Sequence, residues 1–453
     1  MPEISNDLRR TVGPVLLLAL VAAAWGGILG GGFRFDDLPN IVYDPATREG
    51  AVFLDRLGWG LRPLLRASYF FDHALWGWRA AGWLATQLLL HAATVLGVWA
   101  LARRRLPESA ALLAAALFAV QPAHAEAVAY LSGRSVLLSS ALLVSALLAH
   151  ERSQDSAGPA GAWHLASLGA FALAVLTRET ALVFPLLLLA WEGTRTEGPR
   201  LRSLLPAFVA AAVLGLLLAL LPRYQVLGAY SADLRSPGAS LLLNLAALPT
   251  TLSLWFRPWA LSLVHPIPEV AAGSVLLGLG IVAALAALAL LGRRRGSLPA
   301  LGAAWVILSL APTHSLVARR DLVTERHLYL AWMGPSLVLG GLWARLEAGQ
   351  GSRLLGALGA GLLLGGGLWA SQQRAALWRD EVALWSDTVV KAPLSALAWN
   401  NLGAARKEAG DIPRAAAAFR RALELDPDDR TARFNLLALE MTSFRALDSG
   451  SPP

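Results

Sequence analysis

Long apolar runs separated by short arginine-bearing segments fill the first 371 positions of the chain. A bilayer core takes about 20 apolar residues, within a range of roughly 17 to 25. Runs at 12–32, 80–102, 108–121, 134–150, 161–176, 180–192, 204–221, 272–292, 298–312, 328–345 and 354–371 reach or approach that length. The pattern therefore predicts an all-α polytopic membrane protein with about eleven transmembrane helices. The shorter runs predict tilted helices or helices shielded by their neighbours.

A further run, 239–256, contains Pro249 and is followed by "WFRPW". Parity decides its reading. "ARRRLPE" (102–108), "GTRTEGPRLR" (193–202), "GRRRG" (292–296) and "ARLEAGQGSR" (344–353) carry the charge bias of cytoplasmic loops. Eleven spans with Arg9 and Arg10 on the cytoplasmic side satisfy all four, whereas a full span at 239–256 does not. That run is thus expected to be re-entrant or interfacial. Residues 33–79, 122–133, 177–179, 222–271, 313–327 and 372–453 then share the extracytoplasmic side.

Composition agrees with a membrane protein: 56% of the 453 residues are hydrophobic and 15% charged, against about a quarter charged in a soluble domain. The net charge of +8 comes almost wholly from arginine, Lys391 and Lys407 being the only lysines. These arginines lie mostly between apolar runs, as the positive-inside rule places them, and do not suggest nucleic-acid binding. The absence of cysteine excludes disulfides, thiolate metal sites and a Cys nucleophile. The first apolar run is longer than a typical signal-peptide core and lacks a convincing A-x-A cleavage site, which predicts a retained span.

Past position 374 the chain becomes charged and carries "SALAWNNLGAARKEAGDIPRAAAAFRRALELDPDD". Trp399, Leu402, Gly403, Ala415, Phe419, Ala422 and Pro427 stand at the offsets of a tetratricopeptide repeat, in which small residues let two helices approach and large ones fill the groove. Arg406 replaces the usual Tyr. Trp385 and Pro393 fit half of an earlier repeat and Leu436 part of a later one. The expected organisation is a membrane domain over 1–374 with an extracytoplasmic loop at 33–79, a repeat domain over 375–445 with its full repeat at 396–429, and a disordered tail at 446–453. About three repeats are needed for an independent array, so this one is expected to lean on the membrane domain or another chain. It serves as a structural cap or as a protein-binding surface.

Ionisable residues near a membrane are functional candidates. On the expected topology they gather on one side: Asp36 and Asp37 after the first span, His124, Glu126 and Arg134 around the fourth, Arg178 and Glu179 in "LTRET", and Arg319, Arg320, Asp321, Glu325, Arg326 and His327 in "ARRDLVTERHLYL". Arginines on that face oppose the charge bias and suit an anionic partner such as a lipid-linked phosphate, which guanidinium forks match. A carboxylate could take the proton of an acceptor hydroxyl attacking a sugar C1, while Arg and His stabilise the departing phosphate. Such chemistry needs no cofactor and no metal, and no P-loop, dinucleotide fingerprint or H-E-x-x-H is present. Each group has a plainer alternative. The Asp pair caps a helix, Glu126 pairs with Arg134, Arg178 pairs with Glu179, and Arg319 and Arg320 snorkel to headgroups. His91 reads as a hydrogen-bonded core histidine.

"FRFDDLPNIV", "RPLLRASYFFDHALWG" with "LLLHAATVL", "QPAHAEAVAYLSGRSVLLS", "LTRETALVFP" and "ERHLYLAWMGPSL", followed by "WRDEVALWSDTVVKAP" and the repeat, occur in an order that resembles one family. The chain resembles the membrane-embedded O-mannosyltransferases with tetratricopeptide repeats, within the GT-C group that uses polyprenyl-phosphate sugars. The resemblance implies a GT-C-like fold, a catalytic base at Asp36 or Asp37, Glu126 in the catalytic cavity, and Arg326 near the donor phosphate. Arg178 and Glu179 match the family's basic–acidic pair, although Lys more often comes first. Gln121 stands where His is frequent, and "GRSV" lacks the acidic residue that often follows the Arg.

The expected activity is metal-independent, inverting transfer of a hexose such as mannose from a polyprenyl-phosphate donor to a hydroxyl, protein Ser or Thr, on the extracytoplasmic face of a bacterial inner membrane. Asp37, Asp36 and Glu126 are the catalytic candidates. Arg326, His327, Arg178, Arg319 and Arg320 are donor-phosphate candidates, and His124, Glu179 and Arg134 are further cavity candidates. Partners would be membrane lipid, the lipid-linked sugar, a protein acceptor and a protein contact through the repeat. An extended loop would point Asp36 and Asp37 in opposite directions, which makes one catalytic and one structural, with Asp37 preferred as base. Rival readings are a same-fold transferase for lipid or glycan acceptors, a transporter or flippase of polyprenyl-linked sugar, and a scaffold.

Overall fold

Each of the eleven apolar runs is helical in the computed structural model, which describes residues 2–58, 60–155, 160–267, 269–292 and 296–448. Among the described residues there is no strand, and the chain is all-α. The arginines of "GRRRG" at 293–295 and the end of the expected tail at 449–453 lie outside the described residues.

Seven described helices are long and apolar enough to cross a membrane: Val12–Gly30, Ala80–Ala102, Leu131–Ser153, Ala160–Thr177, Leu201–Leu220, Ala272–Leu291 and Arg353–Leu377. An eighth counts if Glu108–Ala119 and Pro122–Ala129, which meet at 52°, form one broken span. The bend falls at Pro122, whose ring cannot continue a helical ladder. The other three expected runs are short: Phe184–Gly193, Leu298–Leu310, and Leu328–Ala331 followed by Met333–Glu347. Ala300, Leu301, Trp305 and Leu337 within them are buried. The ambiguous 239–256 run is the 17-residue helix Pro237–Ser253, with Pro249 inside it.

Helices in lipid gain little from the hydrophobic effect between them and associate through close packing of small residues. Two crossings show this. Gly302 and Gly334 face each other where Leu298–Leu310 meets Met333–Glu347, and a Cβ on Gly334 would stand 2.7 Å from the Gly302 carbonyl. Gly340 lies as close to the Ala110 carbonyl, on the alanine-rich helix Glu108–Ala119.

At the C-terminal end, helices Glu381–Lys391, Ala396–Glu408, Ile412–Leu425 and Arg430–Asp448 form the repeat region. Phe419 is fully buried and its ring fills the space that Gly403 leaves open. The repeat leans on the membrane domain: Trp385, Val389, Leu402 and Ala418 make one apolar cluster, against which Phe35, Leu263 and Val264 pack. Helices extend close to both ends of the described chain, past the start of the expected disordered tail at 446. The first helix begins at Pro2 and the last runs to Asp448, because adding residues to a formed helix costs far less than starting one.

Gly334→Ala is expected to lower the melting temperature in detergent, by overpacking worth about 1–3 kcal/mol. Gly359→Ala, at a position with open space around it, leaves it unchanged or slightly raised. Equal melting temperatures for the two variants would contradict the close crossing.

Candidate active site

Asp36 and Asp37 sit in a turn that runs directly into the short helical segment Leu38–Val42, so the loop is not extended. The turn starts at Phe35, which adopts φ +49°, a left-handed conformation costly for a residue with a Cβ. The two carboxylates diverge. Asp37 is 1% exposed, and its Oδ1 accepts from the Ser132 amide at 2.8 Å and the Ser132 hydroxyl at 2.7 Å. Its Oδ2 accepts from the Arg34 amide at 3.2 Å. Burial outweighs these bonds and pushes the Asp37 carboxyl up to about 7. Asp36 is half-buried; its amide donates to the Tyr130 hydroxyl at 3.2 Å. Burial raises its carboxyl above the usual range, while Tyr130 and then Arg326 pull it back.

The segment that receives Asp37 is itself clamped. Gln87 donates to the Tyr130 carbonyl at 3.0 Å and Tyr69 to the Leu131 carbonyl at 3.1 Å. At Gly133 two backbones meet, and a Cβ there would stand 2.6 Å from the Glu126 carbonyl. Arg134 is fully buried and pairs with Asp72 at 2.6 Å, with further bonds to Gln87 and the Ser68 and Trp83 carbonyls. Neither the cavity position nor the Glu126 pairing expected for Arg134 is found, because Asp72 and these carbonyls use its donors.

Glu126 pairs instead with Arg326, across 200 positions of sequence: its Oε1 lies 3.0 Å from the guanidinium and its Oε2 accepts the Arg326 amide at 2.9 Å. Glu179 does not pair with Arg178. Arg62 takes it in a two-point contact at 3.0 and 2.9 Å, and Tyr224 donates to it at 3.0 Å. Burial opposes ionisation of Glu179, but Arg62 prevails and its carboxyl stays below the usual range. Arg62 has φ +53°, so the two left-handed residues with side chains among the described residues both adjoin this region.

Arg178, Arg326 and His327 line one cavity with Ser139, Ser140 and Thr313. Arg178 is buried, and its guanidinium donates to two neutral hydroxyls, Ser135 at 2.9 Å and Thr180 at 3.2 Å. Among the described residues no carboxylate lies within ion-pair distance of Arg178 or Arg319. Burial, then Arg62, Arg326 and Arg319, push the Arg178 guanidinium well below its usual value. Burial and Arg326 lower that of Arg319 to about 10. His327 bonds to Thr324 at 2.6 Å and lies 3.4 Å from Arg319.

Two candidates fall elsewhere. Arg320 is exposed and stands 5.7 Å over the Tyr230 ring. His124 is fully buried among the rings of Phe118, His91 and Tyr329, not on the cavity wall. His91 bonds to the Tyr329 hydroxyl at 2.8 Å and the Ala119 carbonyl, a core role. Arg62, Tyr130 and Ser132 were not singled out from sequence, although each lies inside a quoted motif; nothing in linear spacing joins Arg62 to Glu179.

Residues 70–223 match the family model described as dolichyl-phosphate-mannose-protein mannosyltransferase, and residues 396–429 match the tetratricopeptide repeat. Protein O-mannosyl-transferase TMTC3 of Mus musculus is 29% identical over 179 residues, 36% of this chain and 19% of that protein. Protein O-mannosyl-transferase Tmtc1 of Drosophila melanogaster is 33% identical over 149 residues, 30% and 17% of the two chains. The chain resembles the membrane O-mannosyltransferases that carry tetratricopeptide repeats. The aligned stretch spans under a fifth of these relatives' length. The family match contains Glu126, Arg178 and Glu179, whereas Asp36 and Arg326 lie outside it. Among solved structures, the Archaeoglobus fulgidus oligosaccharyltransferase covers 70% of this chain and 47% of its own at 13% identity, with a TM-score of 0.41.

Removing one partner of a buried ion pair strands the other charge. Arg134→Met is therefore expected to cost about 3–5 kcal/mol of stability. Arg178→Met, which removes a cation from among cations, leaves the melting temperature unchanged or raises it; equal losses in both would refute the distinction.

The sign of the Asp37 linkage follows from its raised carboxyl. Between the ordinary carboxylate range and about 7, the folded chain holds a proton that the unfolded chain has lost. This group's stabilisation is thus full in acid and is lost as pH rises through about 7. Asp37→Asn keeps an acceptor for Ser132 and should flatten the fall in melting temperature between pH 5 and pH 8. A wild-type curve parallel to that of the variant would contradict the assignment.

Proposed function

We propose that this chain is a glycosyltransferase that moves one sugar from a polyprenyl-phosphate donor to a hydroxyl of a protein acceptor. The observation that carries the reading is the unneutralised positive charge of Arg178 and Arg319 beside Arg326. A buried cation without a counter-ion is expensive, and a phosphate supplies the missing charge with oxygens that fit guanidinium forks. The mannosyltransferase match and the O-mannosyl-transferase relatives support a mannose donor and protein Ser or Thr acceptors.

Asp36 is the proposed base, in preference to Asp37. Both oxygens of Asp37 already accept bonds from Ser132 and Arg34, whereas Asp36 is only partly buried and within the field of Arg326. Asp36 takes the acceptor hydroxyl's proton as that oxygen bonds to the sugar C1. The bond from C1 to the phosphate oxygen breaks, and its electron pair leaves with the phosphate. Arg326, braced by Glu126, and Arg178 stabilise the charge that develops there. One displacement inverts C1, so a β-linked donor yields an α-linked product. The steps need no metal. The arginine-rich loops at the other end of the spans support an extracytoplasmic site through their charge bias.

The test supplies purified protein in lipid with polyprenyl-phosphate mannose and peptide, lipid and glycan acceptors. Peptide transfer is expected, and Asp36→Asn should lower it by about 10²- to 10⁴-fold. Asp37→Asn should keep much of the activity. Because the base must be ionised and burial raises Asp36, the rate should climb with pH along an acid limb above that of a free Asp. Donor translocation without transfer, or an Asp36→Asn variant as active as wild type, overturns the proposal.

A further inference from the structure

The helix Glu381–Lys391, which opens the repeat region, touches both halves of the site from behind. At its start, the Glu381 carboxylate lies beside the Phe35 backbone, and Arg34 lies in the field of the same group. One turn on, the Trp385 ring meets the Phe35 ring edge to face at 5.3 Å. Phe35 is the strained residue immediately before Asp36. A left-handed residue with a side chain costs about 1–3 kcal/mol and persists only where its surroundings hold it. Here the neighbours that hold it are a buried indole and an adjacent carboxylate from the repeat region.

The same helix reaches the phosphate side. Asp387 accepts from Arg374 at 3.2 Å and Lys391 at 2.7 Å, and both cations donate to the Leu261 carbonyl. Arg374 lies 3.8 Å from Glu325, the residue before Arg326. Glu325 also accepts the Ser262 amide. One helix thus abuts Phe35, before the proposed base, and through Arg374 reaches Glu325, before the phosphate-side arginine.

We propose that helix Glu381–Lys391 is a positioning strut, with Glu381 and Trp385 holding the backbone turn that aims Asp36 at the acceptor. This rests on the transfer reading above. Neither side chain touches the reacting atoms; both act through Phe35. Holding a base within about an ångström of its productive position is worth on the order of a hundredfold in rate. The repeat's docked state then sets how well the base is aimed.

The experiment uses the full chain in lipid and compares wild type, Trp385→Ala, Glu381→Ala, and the conservative Trp385→Phe and Glu381→Gln. Hydrogen exchange is read for the 33–40 and 396–429 segments without substrate, and kcat, donor KM and the pH profile with polyprenyl-phosphate mannose and peptide. The alanine variants should speed exchange at 33–40 about tenfold while 396–429 keeps its protection. Their kcat should fall by about a hundredfold with donor KM within about twofold, and the acid limb should shift. The conservative variants should recover most of the rate. Exchange at 33–40 unchanged, or kcat per folded molecule unchanged, overturns the strut. A wild type inert with every acceptor sinks the transfer reading, and exchange alone then decides whether the helix holds the turn.

Discussion

Positive charge buried without its own counter-ion is the constraint around which this end of the bundle is arranged. The nearby carboxylates are already engaged: Glu126 with Arg326, Glu179 with Arg62, and Glu325 with the Ser262 amide and Arg374. Arg178 is left with two hydroxyls, and Arg319 with an imidazole. An ion pair made by either would remove the incentive for an anion to enter. The neutral partners hold the guanidinium in place without cancelling its charge, so binding an anion relieves repulsion as well as making contacts.

Such an arrangement needs a rigid frame. Arg134 provides part of it: it neutralises Asp72 and bonds to two carbonyls, and it begins the helix whose next residue, Ser135, receives Arg178. Asp37 provides another part, joining the loop after the first span to the turn before that helix. Polar groups near a membrane are costly to leave unpaired, and each of these joins two segments far apart in sequence. Two left-handed residues, Phe35 and Arg62, lie at the edges of the frame, where local strain is offset by contacts from other elements.

The apolar runs were legible because helix formation in lipid is dictated by hydrophobic length, and the repeat was legible because its packing fixes residue size at set offsets. The number of spans was less so: Phe184–Gly193 and Leu298–Leu310 are short helices whose apolar composition reflects neighbours as much as lipid. Charge pairing could not be read. Arg134 and Arg178 look equivalent in sequence, each beside a helix start with an acidic residue nearby. Yet one finds a carboxylate 62 positions away and the other finds none among the described residues. The choice between Asp36 and Asp37 depended on a loop taken as extended. A left-handed Phe35 turns it instead, and which carboxylate is consumed depends on Ser132, 95 positions further along.

The position of the repeat gives the acceptor side of the proposed reaction its physical logic. A proposed base on a strained turn is held only as firmly as the elements behind it, and here the element behind it is the first helix of a module whose full repeat matches the tetratricopeptide repeat. If that module bound a polypeptide, ordering of its helices and ordering of the Asp36 turn would share one set of contacts, Trp385 against Phe35 foremost. Binding energy from a remote part of the acceptor could then be spent on aiming the base, raising kcat without tightening the hold on the sugar donor. A repeat tethered by a flexible linker could concentrate acceptors but could not do this. The buried indole against Phe35 makes the repeat region part of the site's scaffold.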